Sequence, residues 1–302
     1  MKDKKIVIGM ISAFLCETLY GSSYLFTKKA LNFADAFTIL GWRFFIAFLV
    51  MFICMCLGII KIDLKDKSIK PLVLFSVFSP CLYFIGETVG INNTTASESG
   101  VFLACIPVVS LFASTLVLKK RPSNLQIAGI TITLAGVIVT VVTLGVSSSL
   151  SIVGYAFLTL AVVSYVIFSI FVEKHYEYTG AEITFVMLMV GAIVFTTIAV
   201  FKAFINGSII NLISLPFREP SFAIAVLYQG IICSIVAFFL TTTALSYIGV
   251  NKTASFIGIS TVVSVITGAI ILKENFTIYQ VIGAVIILAG VYIANANSFS
   301  KS

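Results

Sequence analysis

Long apolar runs separated by short polar turns follow one another along almost the whole chain. Each run holds about 20 residues, the length of helix that crosses a hydrocarbon core about 30 Å thick. Within such a core each span must satisfy its own backbone, which favours a bundle of helices over a barrel, whose strands would alternate at period two. The pattern predicts ten transmembrane helices, near residues 6–28, 36–60, 71–92, 97–118, 125–144, 151–172, 182–204, 222–247, 253–272 and 278–296.

A repeat divides these spans into two sets. Residues 97–140 recur without a gap at 251–294, with about 13 identities in about 44 aligned pairs. A repeat unit with an odd number of spans must reverse its orientation in the membrane, and inverted repeats of this kind are typical of secondary transporters. The sequence therefore predicts an all-α integral membrane protein with ten transmembrane helices in two inverted five-helix repeats, residues 1–147 and 148–302, around a central cavity.

The composition excludes several classes of protein. Hydrophobic residues make up 60% of the chain and charged residues 10%, whereas soluble domains carry about 25% charge. The loops are too short for a soluble catalytic domain, and neither a GxxxxGK[ST] loop nor a GxGxxG fingerprint opens a helix, so we expect no ATP-driven pump and no cofactor. The six cysteines fall within predicted spans as small apolar residues, and His175 is expected in a solvated loop, with no metal.

The net charge of +7 is explained by membrane topology rather than by a nucleic-acid partner. With a cytoplasmic N-terminus, about 13 Lys and Arg lie inside and about five outside. We therefore expect a multi-pass protein of the cytoplasmic membrane with both termini in the cytoplasm. The first span follows a basic segment but is too long for a signal peptide and lacks a small-x-small cleavage site, so it is expected to remain as the first helix.

An ordered set of motifs carries a family resemblance. The motifs are GWRFFIA at 41–47, ALSYIGVNKTA at 244–254, ILKE at 271–274, QVIG at 280–283 and LAG at 288–290. Together they resemble the EamA-type transporters of the drug/metabolite transporter superfamily. The resemblance implies ten helices in two inverted repeats, a central substrate cavity, and movement of amino acids or other small metabolites, often outward.

The chain departs from the family pattern at two places. The acidic residue of the family after the ninth helix is present as Glu274, but Lys120 replaces it in the first repeat. The family's proline in the fourth helix is Pro107, while Thr261 stands in its place in the ninth. Because a proline in mid-helix leaves a kink and a free carbonyl, we predict gates at Pro107 and Thr261 that behave unequally.

Two glutamates are the strongest candidates for function. Inserting an ionisable side chain at the centre of the bilayer costs about 3 kcal/mol of free energy, so Glu17 and Glu87 are each expected to have a functional role. Helical spacing puts Glu87 in a stripe with Ser79, Tyr83 and Gly90, and places Tyr20 beside Glu17; both stripes should face the bundle interior. Either glutamate can carry a coupling proton or hold a substrate ammonium group. The alternative is that each only hydrogen-bonds nearby Tyr or Ser groups and fixes helix packing.

Further polar and aromatic residues complete the predicted substrate site. Their side chains offer aromatic walls and hydrogen bonds of the kind that line small-molecule sites, with core packing as the alternative. Arg43 is expected near the outer end of its span, where a structural anchor is favoured over binding of a substrate carboxylate. The predicted substrate-binding residues are Glu17, Tyr20, Tyr83, Glu87, Tyr165, Tyr228, Gln229 and Thr241.

The spacing of four glycines predicts that helices five and ten pack against each other. Gly129 with Gly136, and Gly283 with Gly290, are seven residues apart and so recur on one face of helices five and ten. If these helices pair, small residues meet at the contact.

The sequence favours a secondary transporter that exposes one central site alternately to each side, with proton coupling as one option. Its expected partners are a small-molecule substrate and the lipid bilayer, and it acts as a monomer or a homodimer. One alternative is a channel or receptor scaffold, although a simple pore does not require the inverted repeat. The other is a membrane-embedded lipid-modifying enzyme, but DDxxD and HExxH clusters are absent from the spans, and we predict no catalytic residues.

Overall fold

The computed structural model describes residues 2–65, 67–93, 102–142, 151–175, 177–271 and 278–299. Every regular element within these ranges is helical. The α-helices are α1 Lys2–Leu31, α2 Ala36–Cys56, α3 Ile69–Ser76, α4 Tyr83–Asn93, α5 Ile106–Val117, α6 Asn124–Val142, α7 Ile152–Lys174, α8 Gly180–Ile205, α9 Ile209–Arg218, α10 Pro220–Leu227, α11 Ala237–Ser255, α12 Gly258–Ile271 and α13 Ile278–Phe299. Two π-helical segments, Val77–Leu82 and Tyr228–Val236, join α3 to α4 and α10 to α11.

The length and apolar character of the helices make the chain a multi-pass membrane protein. Shorter apolar helices occupy Phe102–Val117, Asn124–Val139 and Ile209–Arg218. Large apolar side chains such as Phe112 and Phe201 are more than 60% exposed, as expected for a surface that faces lipid. Within the described ranges, seven helical stretches are long and apolar enough to span a membrane: Lys4–Leu31, Ala36–Cys56, Ile69–Gly90, Ile152–Lys174, Gly180–Ile205, Pro220–Ser255 and Ile278–Ala296.

The third predicted span is broken near its middle. Ser79 has φ −138° and ψ 119°, outside the helical region, and Pro80 follows it. Proline has no N–H to donate and disfavours the helical conformation in the residue before it, which accounts for the break. The predicted stripe from Ser79 through Tyr83 to Glu87 is therefore wrong at Ser79, because helical spacing does not hold across the break.

The second π-helical segment lies at the position related to the first by the repeat. The repeat offset is 154 residues (251 − 97), which carries residues 77–82 onto 231–236, inside Tyr228–Val236. Both halves thus interrupt regular helix at corresponding positions.

The predicted kink at Pro107 is wrong, because Pro107 does not lie in the middle of a continuous helix. Residues 102–104 are helical, Cys105 lies in a turn, and Pro107 sits in the first turn of α5. Proline is well accommodated there because the first turn leaves N–H groups without intrahelical partners in any case. Thr261, its counterpart, lies inside α12, and Glu274 lies outside the described residues.

The helices of the two halves are interleaved. The first helix of the first half, α1, packs against α11 and α12, while the first helix of the second half, α7, packs against α4 and α5. Two further cross-half pairs with extensive contacts are α2 with α8 and α6 with α13. Each half therefore contributes matching elements to a shared interior.

The contact between α6 and α13 confirms the glycine prediction. A methyl group at Gly136 would lie 2.8 Å from the Ile287 nitrogen and 2.9 Å from the Gly283 oxygen. Gly129 faces the Gly290 oxygen and the backbone of Ala294 in the same way. Only glycine allows these backbones to approach so closely.

The turn between α1 and α2 is tied to the end of α8. Asp35 caps α2 by accepting hydrogen bonds from the Phe37 and Thr38 nitrogens, and its carboxylate lies 2.9 Å from the Lys202 ammonium. Burial alone raises the pKa of Asp35, but the bonds from Lys202 and Thr38 outweigh it and hold the pKa below its usual 3.8. A depression at this end of the bundle has a volume of about 270 Å³ and is lined by these side chains and by α9.

Helix α9 was not expected from the sequence, and it has three distinct faces. Its ten residues span about 15 Å, too short to cross a membrane. Ile210, Ile213 and Phe217 share one face and are 76%, 58% and 83% exposed. Asn211 is exposed on a second face, while Leu212 on a third packs towards the bundle. A helix with one protein face, one apolar face and one polar face is suited to the membrane–water interface.

Candidate functional site

Four of the predicted site residues meet around Glu17. This glutamate is 5% exposed on α1, with the Ser260 hydroxyl of α12 as a hydrogen-bonding neighbour. One turn later on α1, the Tyr20 hydroxyl lies 3.3 Å from the Thr241 hydroxyl of α11. Tyr165 on α7 is close enough to interact electrostatically with Glu17 and Tyr20. The group thus joins a helix of the first half to three helices of the second half.

A second group forms around Glu87 on α4. The Tyr83 hydroxyl donates a hydrogen bond of 3.1 Å to Glu87 Oε1. The Tyr83 ring centroid lies 5.9 Å from that of Tyr165 and 5.0 Å from that of Phe84. Because Tyr165 packs near Tyr83 and interacts electrostatically with Glu17 and Tyr20, it connects the Glu87 group to the Glu17 group.

Arg43, the eighth residue of α2, lies in the same region. It is 7% exposed, and its Nε donates a hydrogen bond of 2.7 Å to the Ser234 hydroxyl in the second π-helical segment. Its guanidinium carbon lies 4.6 Å from the centroid of the Phe84 ring, within the range of a cation–π contact. Arg43 also acts electrostatically on Glu87.

Tyr228 and Gln229 lie at a neighbouring level of the bundle. The Tyr228 hydroxyl is 2.6 Å from the Ser22 hydroxyl, and the Gln229 amide donates a bond of 2.9 Å to the Thr27 hydroxyl. At about 1.5 Å per residue, Ser22 and Thr27 lie about 8 and 15 Å along α1 from Glu17. The structure therefore does not bring these two predicted residues into the group around Glu17.

The two predicted gate positions flank the site unequally. Thr261 follows Ser260, the hydrogen-bonding neighbour of Glu17, in the first turn of α12. Pro107 is buried at the start of α5, which packs against α7 and α11. A gating role for either residue stays a prediction.

The arrangement can recognise a small polar solute. Glu17, Glu87 and Arg43 supply two carboxyl groups and a cation, and tyrosine hydroxyls supply further donors and acceptors. Phe84 and Phe238, whose ring centroids are 6.4 Å apart, form part of an apolar wall. Such a mixture of aromatic wall and few polar groups is typical of small-molecule sites. In the ranges that the structure describes, no group of three or more His, Cys, Asp or Glu is placed to hold a metal ion.

Glu173 is an important residue that sequence patterns did not reveal. At the end of α7 its carboxylate pairs with Lys120, and it accepts a hydrogen bond of 2.5 Å from the Val250 nitrogen. Gly249 has φ +79°, and a methyl group there would lie 2.9 Å from Glu173 Oε1. Glu173 therefore closes one end of the bundle by joining the α5–α6 turn to α11. The one signal in the sequence was a lone acid directly after a long apolar run.

Comparisons with known proteins agree with this architecture. The model of the EamA-like transporter family matches residues 7–142 and 152–296. "Uncharacterized transporter YcxC" of Bacillus subtilis is 33% identical over 294 residues, covering 97% of this chain and 94% of that protein. "Uncharacterized transporter YetK" of the same organism is 24% identical over 304 residues, covering 96% and 87%. A solved crystal structure superposes with a TM-score of 0.76 at 16% identity over 96% of this chain and 98% of the other, which shows a shared fold.

Proposed function

The chain belongs to the EamA-like transporter family, and on that premise we propose that it is a secondary transporter working by alternating access. Its substrates are small metabolites, namely amino acids or related solutes, and the direction is export across the cytoplasmic membrane. The drive comes from gradients of substrate or of protons, and no catalytic step or cofactor takes part. The observation that carries the proposal is the convergence of polar side chains from both halves at Tyr165.

The proposed architecture is ten transmembrane helices in two inverted five-helix repeats, residues 1–147 and 148–302, around a central cavity. Three observations support it. The family model matches the chain twice, at 7–142 and 152–296. The two π-helical segments correspond under the repeat offset, and the first helix of each half packs against the third and fourth spans of the other. Rocking of two such halves would expose the shared interior to either side.

The substrate is proposed to bind among Glu17, Tyr20, Tyr83, Glu87 and Tyr165, with Thr241 at the edge. Tyr228 and Gln229 would contact the solute at another stage of its passage, since they lie further along α1. Glu17 and Glu87 are the proposed carriers of a coupling proton, and Pro107 and Thr261 the proposed gates. These roles rest on the burial of the side chains and on their hydrogen bonds.

Both termini are proposed to face the cytoplasm, because that orientation puts most Lys and Arg on the inside. The functional unit is proposed to be one chain or a pair of identical chains, each with its own site. We propose no nucleic-acid partner for this protein.

Flux measurements in proteoliposomes test the proposal. A panel of amino acids and related metabolites is followed with and without a pH gradient for the wild type, Glu17→Gln and Glu87→Gln. Glutamine keeps the size of glutamate but cannot carry a proton, so we expect both variants to insert normally and to lose transport or its dependence on pH. Glu177→Gln, in an exposed position after α7, is the matched control and should leave flux unchanged.

Two outcomes would contradict the proposal. One is that no solute in the panel moves at a rate above empty liposomes. The other is that both glutamine variants keep the wild-type flux and pH response, which would make the glutamates structural.

A further inference from the structure

The Arg43 guanidinium has unused capacity to donate hydrogen bonds. Arginine carries five N–H donors in a planar fork. In the described part of the chain its one hydrogen bond is that from Nε to Ser234, at 2.7 Å. The fully buried side-chain nitrogen and oxygen atoms that lack a partner there belong to Ser110, Thr184 and Asn295. The Nη groups of Arg43 are not among them, so they are not fully buried. They therefore keep some accessible surface, although the residue as a whole is 7% exposed.

The protein fixes the direction of this fork. The Ser234 hydroxyl that accepts from Nε itself donates a bond of 2.9 Å to the Gln229 carbonyl oxygen. The guanidinium plane is also held near the Phe84 ring, with 4.6 Å between its carbon and the ring centroid. A side chain that is anchored at Nε and at one face keeps its two Nη groups available at the far edge. That edge can bind one carboxylate through two parallel N–H···O bonds.

Glu87 provides a nearby carboxyl group that does not occupy the Nη groups of Arg43. Ion pairs within 4.0 Å in the described residues join carboxylates to Lys67, Lys120, His175 and Lys202, and none involves Arg43. Glu87 is near enough for an electrostatic interaction with Arg43, and its Oε1 accepts from Tyr83. No hydrogen bond reaches its Oε2 from the described side chains or backbone. A cation and an anion, each with hydrogen-bonding atoms still free, thus lie within electrostatic range of each other.

We propose that Arg43 binds the carboxylate of the substrate while Glu87 receives its ammonium group, which makes the substrate class zwitterionic, as in free α-amino acids. The inference rests on the proposed transport function and narrows it. Carboxylate and guanidinium match in geometry as well as in charge, because two parallel N–H bonds reach two oxygens. Ser234 is then a positioning residue that orients the fork. The apolar wall at Phe84 excludes water and strengthens both contacts.

Competition in proteoliposomes tests the assignment. For a zwitterionic amino acid that the wild type transports, competition is measured with the same amino acid, its decarboxylated amine and its N-acetylated form. We expect strong competition by the zwitterion and only weak competition by the amine and by the N-acetylated form. Arg43→Gln should raise the KM for the zwitterion by about 10- to 100-fold while the weak binding of the amine stays unchanged. Arg43→Lys keeps the charge without the fork and should give an intermediate effect.

Two controls separate substrate binding from a purely structural role. Lys202→Gln removes a cation at the exposed end of the bundle and should leave KM unchanged. Ser234→Ala removes the anchor of Nε but keeps the cation, so it should raise KM less than Arg43→Gln does. All variants are first compared by size-exclusion profile and melting temperature in detergent, and Arg43→Lys carries the test if Arg43→Gln does not fold.

The inference fails if the amine and the acetylated form compete as well as the zwitterion in the wild type. It also fails if Ser234→Ala and both Arg43 variants lower transport of every solute equally, because Arg43 would then only anchor the π-helical segment. Either result leaves the transport function intact. Absence of flux in the wild type would instead contradict the proposed function itself.

Discussion

The contact between α6 and α13 makes a quantitative prediction for Gly136→Ala. The added methyl group would lie 2.8 Å from the Ile287 nitrogen, whereas ordinary contacts begin at 3.4 Å, so the helices must separate locally by about 0.6 Å (3.4 − 2.8). Overpacking of this kind costs about 1–3 kcal/mol, while replacing glycine in a helix returns up to about 1 kcal/mol. Since two of the three nearest atoms are backbone and cannot rotate away, we expect a net loss of about 1–2 kcal/mol in the free energy of unfolding.

The assay is reversible unfolding in mixed micelles with increasing SDS, followed by circular dichroism. Ala135→Val is the matched control, because Ala135 is exposed one residue earlier on α6 and a larger side chain there meets no helix. We expect the control to unfold at the wild-type SDS fraction and Gly136→Ala to unfold earlier. If Gly136→Ala is as stable as the wild type or more stable, α6 and α13 do not pack as described.

Three further predictions concern the ends of the bundle. Glu173→Ala should destabilise the protein by about 1–3 kcal/mol in the same assay and Lys120→Ala by less than about 1 kcal/mol, because Lys120 is 60% exposed while Glu173 also holds the Val250 N–H; equal effects would contradict this. The pKa of Asp35 is lowered, so its contribution to stability is present above pH 3.8 and is lost as the pH falls below it; Asp35→Asn should reduce the fall in melting temperature on acidification, and an unchanged fall would refute this. In a background without the native tryptophan, the fluorescence of Phe217→Trp should be quenched by lipids brominated near the headgroup, and that of Asn211→Trp should not. Equal quenching of the two variants would contradict the position of α9 at the membrane–water interface.

Much of the helical framework follows from the sequence because apolar length is a physical requirement of the bilayer. The span predicted at 182–204 corresponds to α8 at Gly180–Ile205, and that at 151–172 to α7 at Ile152–Lys174. The glycines at 129 and 136 predicted their own helix pair, since small residues that recur on one helical face let a second backbone approach closely.

The interruptions of the helices were harder to predict. Pro80 was visible in the third span, but the hydropathy pattern runs through it, and only the backbone at Ser79 shows that the helix breaks there. Gly249 lies in a segment that matches the family motif, but the sequence does not show that its backbone has a positive φ and closely approaches the Glu173 carboxylate of another helix. Local patterns do not encode such contacts between elements far apart in sequence.

The candidate site shows the same limit. Helical spacing correctly paired Tyr83 with Glu87, which share a hydrogen bond within one helix. It could not show that Tyr165 lies between the two groups or that Arg43 donates a hydrogen bond to Ser234, 191 positions away in sequence. The sequence also did not show how deeply Arg43 is buried, because burial is set by how neighbouring helices pack.

The reversal of the two halves underlies the proposed transport cycle, and site-directed labelling measures it directly. After replacement of the six native cysteines, single cysteines are introduced by Arg121→Cys, in the turn between α5 and α6, and by Asn275→Cys, at the position related to Arg121 by the repeat offset of 154 residues. A membrane-impermeant maleimide is applied to intact cells and to permeabilised cells. We expect Asn275→Cys to react in intact cells and Arg121→Cys only after permeabilisation. Reaction of both from the same side would contradict the inverted arrangement.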